Sequence, residues 1–157
     1  MRKNIVPRES FSDLTSSKDW LDLREMARVE VSSEDPSQPI ESALQPIGAS
    51  GWRAAEAGPQ VVRLLFDQPQ KIKRIYLLIN EEERPRTQEF VLRWSKDHGV
   101  SYQEIVRQQY NFNPPDTTTE QEDYLVDLSG VTTLELDIVP DIGGSPAKAS
   151  LGRLLLA

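Results

Sequence analysis

Residues 86–111, RTQEFVLRWSKDHGVSYQEIVRQQYN, read as two extended segments joined by a short turn. From Glu89 to Ser95 the side chains alternate. Phe90, Leu92 and Trp94 share one face, and Val91, Arg93 and Ser95 the other, which is the period of a half-buried strand. Lys96-Asp97-His98-Gly99 is turn chemistry, because glycine accepts positive φ and a short acid bonds nearby backbone. Residues 102–111 run extended again. The hairpin predicted here is the frame to which the other segments attach.

Working outward, residues 27–33 alternate, with Ala27, Val29 and Val31 facing in. Trp52 opens a short extended piece. Residues 61–66, 72–79, 122–128, 133–139 and 149–157 also read as strands, and Asp67-Gln68-Pro69-Gln70, Ser129-Gly130 and Gly143-Gly144 read as turns. Helix is confined to pieces of one or two turns. One spans 18–25, capped by Ser16-Ser17, with Trp20, Leu21 and Leu23 to bury. Another lies within 34–51, where Ile40, Ala43, Leu44 and Ile47 have helical spacing. Residues 1–16 are polar and aperiodic, and are expected to be loose or draped over the domain. The chain divides into an N-terminal extension (1–26) and one domain (27–157). Many short strands at regular spacing predict an all-β, antiparallel β-sandwich of jelly-roll type. Its core is expected to include Ile75, Leu77, Phe90, Leu92, Trp94, Leu134, Leu136 and Ile138.

At 157 residues the chain suits a single domain with a real core. Its 25 acidic and 18 basic residues leave a net charge of −7, which repels a phosphate backbone and disfavours nucleic acid and anionic membranes as partners. The chain has no cysteine and one histidine, His98, so thiolate or histidine metal sites and a Ser-His dyad are not expected. The start of the chain lacks an apolar signal region and no run could span a bilayer, so a soluble cytoplasmic protein is the simplest reading. Enzymatic chemistry would have to rest on an Asp/Glu pair, as in glycoside hydrolysis, and no spacing singles one out.

Successive antiparallel strands alternate in direction, so successive connections fall at opposite ends. The long connections 34–51, 80–88, 112–121 and 140–148 then gather at one end. The short ones, 67–71, 96–101 and 129–132, gather at the other. Long loops on a rigid sandwich are where binding residues concentrate.

The segments Val31-Ser32-Ser33, Ser50-Gly51-Trp52, 62–67, 72–79, 87–95 with Asp97 and Gly99, 136–140 and Ala149-Ser150-Leu151 together resemble a discoidin domain. This is the coagulation-factor type C group of galactose-binding-like sandwiches, and the resemblance covers 27–157. It implies an eight-stranded jelly roll, with the termini close together at one end and ligand loops at the other. It also implies a non-catalytic module for sugars, lipid head groups or proteins. Many sugar-binding members hold Ca²⁺ near an Asp-Gly after the first long loop and use a Glu on the last strand. Here Gln45-Pro46 and Arg153 stand at those places, so no metal is expected. The disulfide common in secreted members has no cysteines to form it.

The candidate ligand residues follow from chemistry and placement. Arg84 and Arg86 offer planar, always-charged donors, although both also balance Glu81, Glu82 and Glu83. Asn111 and Phe112, beside Tyr110, offer an amide and an apolar face. Arg53 reaches the loop end or pairs with Glu56. Trp52 and Trp94 read as core, His98 as solvated, and the Glu81–Glu83 run as a solvated surface. Asp116, Glu120, Glu122 and Asp123 make the 112–121 region acidic, against lipid binding. The expected function is non-catalytic binding of a neutral carbohydrate, with no cofactor. The alternative is a protein–protein module with an acidic loop face.

Overall fold

The structure, a computed structural model, describes residues 19–47 and 50–157. The expectations for residues 1–16 and for the Ser16-Ser17 cap fall outside the described residues. Within them, a single helical turn, α1 (Leu23–Met26), leads directly into β1 (Ala27–Val31). The other strands are β2 (Trp52–Ala57), β3 (Gln60–Asn80), β4 (Arg86–Ser95), β5 (Gln103–Phe112), β6 (Thr119–Val139), β7 (Lys148–Leu151) and β8 (Arg153–Leu156). All of the ladders are antiparallel. The predicted hairpin is β4–β5, with Leu92 opposite Val106 and Arg86 opposite Phe112.

Two of the expected turns are corrected. Residues 67–70 and 129–130 do not reverse the chain, because β3 and β6 each continue through them for 21 residues. The two strands pair from Gln60 opposite Ile138 to Asn80 opposite Thr119, and the register slips between Leu65 and Arg74. Gly130, at φ 75°, sits at the matching corner of β6. Bulges of this kind bend a strand and sharpen its twist. One half of the ladder therefore lies with β1, β4 and β5, and the other half with β8. The corner does what a turn would do for direction, so the long loops still gather at one end.

Both halves contribute to one core. Val62, Leu64, Phe90, Leu92, Trp94, Leu134, Leu136 and Ile138 from one layer pack with Ile75, Leu77, Ile79, Leu154 and Leu156 from the other. Tyr76, Leu78 and Leu155 point the opposite way and are covered by Trp20. Leu21 N–H bonds the Leu156 carbonyl at 2.8 Å, and the Arg74 guanidinium lies over the Trp20 ring. The described part of the N-terminal extension is thus packed on the sandwich.

The short-turn end is closed by its own side chains. Asp97 accepts bonds from the Ser95 and Ser101 hydroxyls and from Ser101 N–H. The Ser101 and Ser95 hydroxyls pull its carboxyl down to about 2. Thr132 ties this turn to the β6 corner, accepting from His98 N–H and donating to the Ser95 carbonyl. His98 itself is exposed, at φ 58°.

Trp94→Ala is expected to lower the unfolding free energy by about 3–5 kcal/mol, the usual cost of deleting a large core aromatic. Denaturant titration checks this, and a loss of only about 0.5 kcal/mol, typical of surface positions, would mean that the side chain carries no core packing.

Candidate functional site

At the long-loop end the connections are bonded to one another. Glu81 N–H donates to the Thr118 carbonyl, Ile142 N–H to the Thr87 carbonyl, and Arg53 N–H to the Gln38 carbonyl. Between the 34–51 loop, the 80–85 loop and the β7–β8 junction lies a cavity of about 490 Å³. Trp52 and Leu151, both buried, line it from the core side. The Trp52 indole N–H is committed to the Ser33 carbonyl at 3.0 Å. Gly51, at φ 90°, lets the backbone of the first loop lie against the β7–β8 junction. A Cβ there would stand 2.5 Å from the Leu151 carbonyl oxygen, so no other residue fits.

The polar lining is what a hydroxyl-rich ligand requires. Arg53 presents a guanidinium 4.0 Å from Glu83, both partly exposed. Gln38, Ser50, Asn80, Glu82 and Ser150 supply amide, hydroxyl and carboxylate groups. Asn80 is held in place, its Oδ1 accepting from Thr119 Oγ1 and its carbonyl from Ser150 Oγ. Glu81 is the fixed member. Its Oε2 accepts from the backbone N–H groups of Glu83 and Arg84, and its Oε1 from Arg86 Nε at 2.7 Å. Burial works to raise this carboxyl, but the Glu83 N–H, the Arg86 guanidinium and the Arg84 N–H outweigh it, leaving it below the usual carboxylate range.

The expected ligand set separates into three groups. Arg53 lines the cavity. Arg84 and Asn111 are exposed but outside its lining, and Asn111 Oδ1 accepts from Thr87 Oγ1 at 2.7 Å. Arg86 and Phe112 are corrected, because both are buried. The Arg86 guanidinium lies 4.6 Å from the Phe112 ring centroid and bonds Glu81, Gln88 and the Pro140 carbonyl. Tyr110 packs on Phe112 in turn, at 4.9 Å between centroids. These groups close the mouth of the sandwich. The reason is strand parity: Arg86 and Gln88 share the phase of Phe90, Leu92 and Trp94, so extending β4 backward turns Arg86 inward. Glu120 is also corrected, since it is buried on β6 rather than part of an acidic loop. Gln38, Ser50, Asn80, Ser150 and the acids Glu81, Glu82 and Glu83 were the missed polar lining. The signal for the acids was the strand end at Asn80, which carries the acidic run into the cavity wall instead of into open solvent.

Calcium does not fit the place where the resemblance would put it. Arg153 Nη1 donates to the Ser42 and Gly152 carbonyls, so a fixed cation already uses those oxygens. Among the described residues, no three His, Cys, Asp or Glu side chains converge as metal ligands.

Comparison with known proteins places this geometry. The sequence matches no known family model and no curated protein. Solved structures do match. A Clostridium perfringens module, CpGH89CBM32-5, in complex with GalNAc-β-1,3-galactose, superposes with a TM-score of 0.61 at 18% identity, over 88% of this chain and 99% of the module. The family 32 carbohydrate-binding module of C. perfringens NanJ, in complex with galactose, gives 0.60 at 15% identity, over 87% and 96%. Chitosan-binding module 1 from a Paenibacillus sp. IK-5 chitosanase/glucanase gives 0.58 at 14%, over 83% and 94%. The chain has the discoidin-type, galactose-binding-like fold. In this discoidin-type sandwich the cavity lies at the long-loop end.

Arg86→Ala is expected to cost about 3–5 kcal/mol of stability, since it strands a buried carboxylate. Arg84→Ala should stay within about 0.5 kcal/mol. Equal effects in parallel denaturant titrations would contradict the burial assigned to Arg86. EDTA should leave the melting temperature unchanged, because a metal held only by the native state must stabilise it. A drop restored by added Ca²⁺ would reverse that conclusion.

Proposed function

We propose that this chain is a non-catalytic carbohydrate-binding module whose ligand occupies the Arg53–Glu82 cavity. The observation that carries this reading is the cavity itself: an arginine, two amides and carboxylates set around a buried tryptophan and leucine, at the open end of a sandwich. Guanidinium and amide N–H groups donate to sugar oxygens, and carboxylates accept from hydroxyls. The similarity in fold to modules crystallised with galactose and with GalNAc-β-1,3-galactose supports it. A neutral glycan suits the lining better than a uronate, because Glu81, Glu82 and Glu83 outnumber the one arginine among the described residues that line it. Catalysis is not part of the proposal. Glu81, the most firmly placed acid, is committed to Arg86 and two backbone donors and is not free to act as nucleophile or proton donor.

A glycan array followed by calorimetric titration of the strongest hit tests this. Arg53→Ala and Glu82→Ala are each expected to weaken binding by about 10- to 100-fold, the worth of one charge-assisted hydrogen bond, without a matching loss of melting temperature. Asn111→Ala should leave affinity unchanged. An array with no hit, together with capture of a basic protein abolished by Glu82→Ala, would favour the protein-binding alternative.

A further inference from the structure

Behind the cavity wall lies a buried polar chain that ligand binding does not explain. Glu120 is 1% exposed, at the start of β6. Its Oε1 accepts from Gln88 Nε2 at 2.8 Å, and Gln88 Oε1 accepts from Arg86 Nη1 at 3.1 Å. Arg86 Nε holds Glu81 at 2.7 Å, and Glu81 holds the backbone N–H groups of Glu83 and Arg84. One unbroken line of contacts thus runs from a carboxyl in the interior to the turn that walls the cavity. Two atoms in it are unused: Glu120 Oε2 and Arg86 Nη2 are buried and have no hydrogen-bond partner among the described residues.

The surroundings of Glu120 are unequal. Its β3 partner is the apolar Ile79. On its own strand stand Glu122 and Tyr124, and β4 presents Arg86 and Gln88. From β5, Tyr110 donates to the Thr119 carbonyl next door. Burial, together with the Glu122 carboxyl, pushes Glu120 up to about 8, against the Arg86 charge and the Gln88 amide, which pull it down. Burial and the neighbouring carboxyl thus both favour the protonated form of Glu120.

We propose that Glu120 is a positioning residue for the cavity wall: uncharged, it leaves Arg86 to hold Glu81 and the 81–84 turn, and when it ionises it draws the idle Arg86 nitrogen toward itself and loosens that turn. A buried and a half-buried carboxylate would then compete for one guanidinium, and the outer one, Glu81, is the one that can be released. The cavity's role in sugar binding rests on the preceding proposal, but the movement of its wall does not.

The test uses no ligand, so its outcome is separate from that of the sugar reading. Backbone amide shifts of Glu83 and Arg84 are followed by NMR from pH 6 to 9 in the intact chain. The wild type is expected to titrate with a midpoint near pH 8. Glu120→Gln, neutral and of the same shape, should hold both amides at their low-pH positions throughout. Glu122→Gln removes the neighbouring like charge and should move the midpoint to lower pH, which keeps the test decisive if the first variant folds poorly. Static amides in the wild type, or an unchanged midpoint in either variant, would overturn the proposal. Melting curves add a second reading. A carboxyl whose folded pKa lies above its unfolded value stabilises most at low pH, and that contribution is lost as pH rises toward about 8. The wild-type melting temperature should therefore fall over this range more steeply than that of Glu120→Gln.

Discussion

The long antiparallel ladder between β3 and β6 is the constraint on which the rest of the molecule depends. It runs from Gln60 opposite Ile138 to Asn80 opposite Thr119, and every other strand of the larger sheet is attached to it directly or through β4. Because the register slips in the middle, the two strands bend together and supply both walls of the core from one continuous set of backbone hydrogen bonds. Alternation does the rest. Val62 and Leu64 before the bend, and Ile75, Leu77 and Ile79 after it, all turn inward and meet in one core cluster.

The same ladder makes the two ends of the sandwich unequal. At the bend the chain never leaves the sheet, so little backbone needs other partners, and Asp97 and Thr132 satisfy the adjacent turn. At the other end β3 stops at Asn80 and β6 begins at Thr119, and the chain must leave and return several times. Its loops are bonded to one another and to Arg86, which bridges Glu81 to the Pro140 carbonyl. A cavity persists there because the loops meet around backbone and polar groups rather than around apolar side chains.

Charge follows this division. On the outer face of the larger sheet, Glu30, Arg63, Glu135, Arg93 and Asp137 form a line of alternating sign across neighbouring strands. The Glu30–Arg63 pair is partly exposed and adds little stability, whereas Glu135 is buried between Arg63 and Arg93; together the pairs leave that face without an unpaired field. At the long-loop end the acids are less evenly matched. Arg86 serves Glu81 from beneath, while Glu82 and Glu83 share the cavity lining with Arg53. Of the charged groups that line the cavity, Glu81 is thereby committed to the fold, while Arg53 and Glu83 share only a loose ion pair.

The sandwich itself was legible in the sequence because a strand's two-residue period is local. The alternation of 89–95, the apolar faces of 72–79 and 133–139 and the contrast of short and long connections can all be counted along the chain. Even the burial of Arg86 was present in the phase it shares with Phe90 and Trp94, although its charge argued for the surface. What the sequence could not decide depends on distance in space. A proline beside two glutamines reads as a turn, and only pairing with β6 shows that the backbone stays extended through it. Glu81, Glu82 and Glu83 read as one solvated run. Their separate fates, one bound to a buried arginine and two facing a cavity, were set by Arg86 at the start of β4 and by Ser150 and Gly51, which come from distant parts of the chain. Local periodicity determined which residues form the core, and the tertiary meeting of loops decided which polar residues line the cavity.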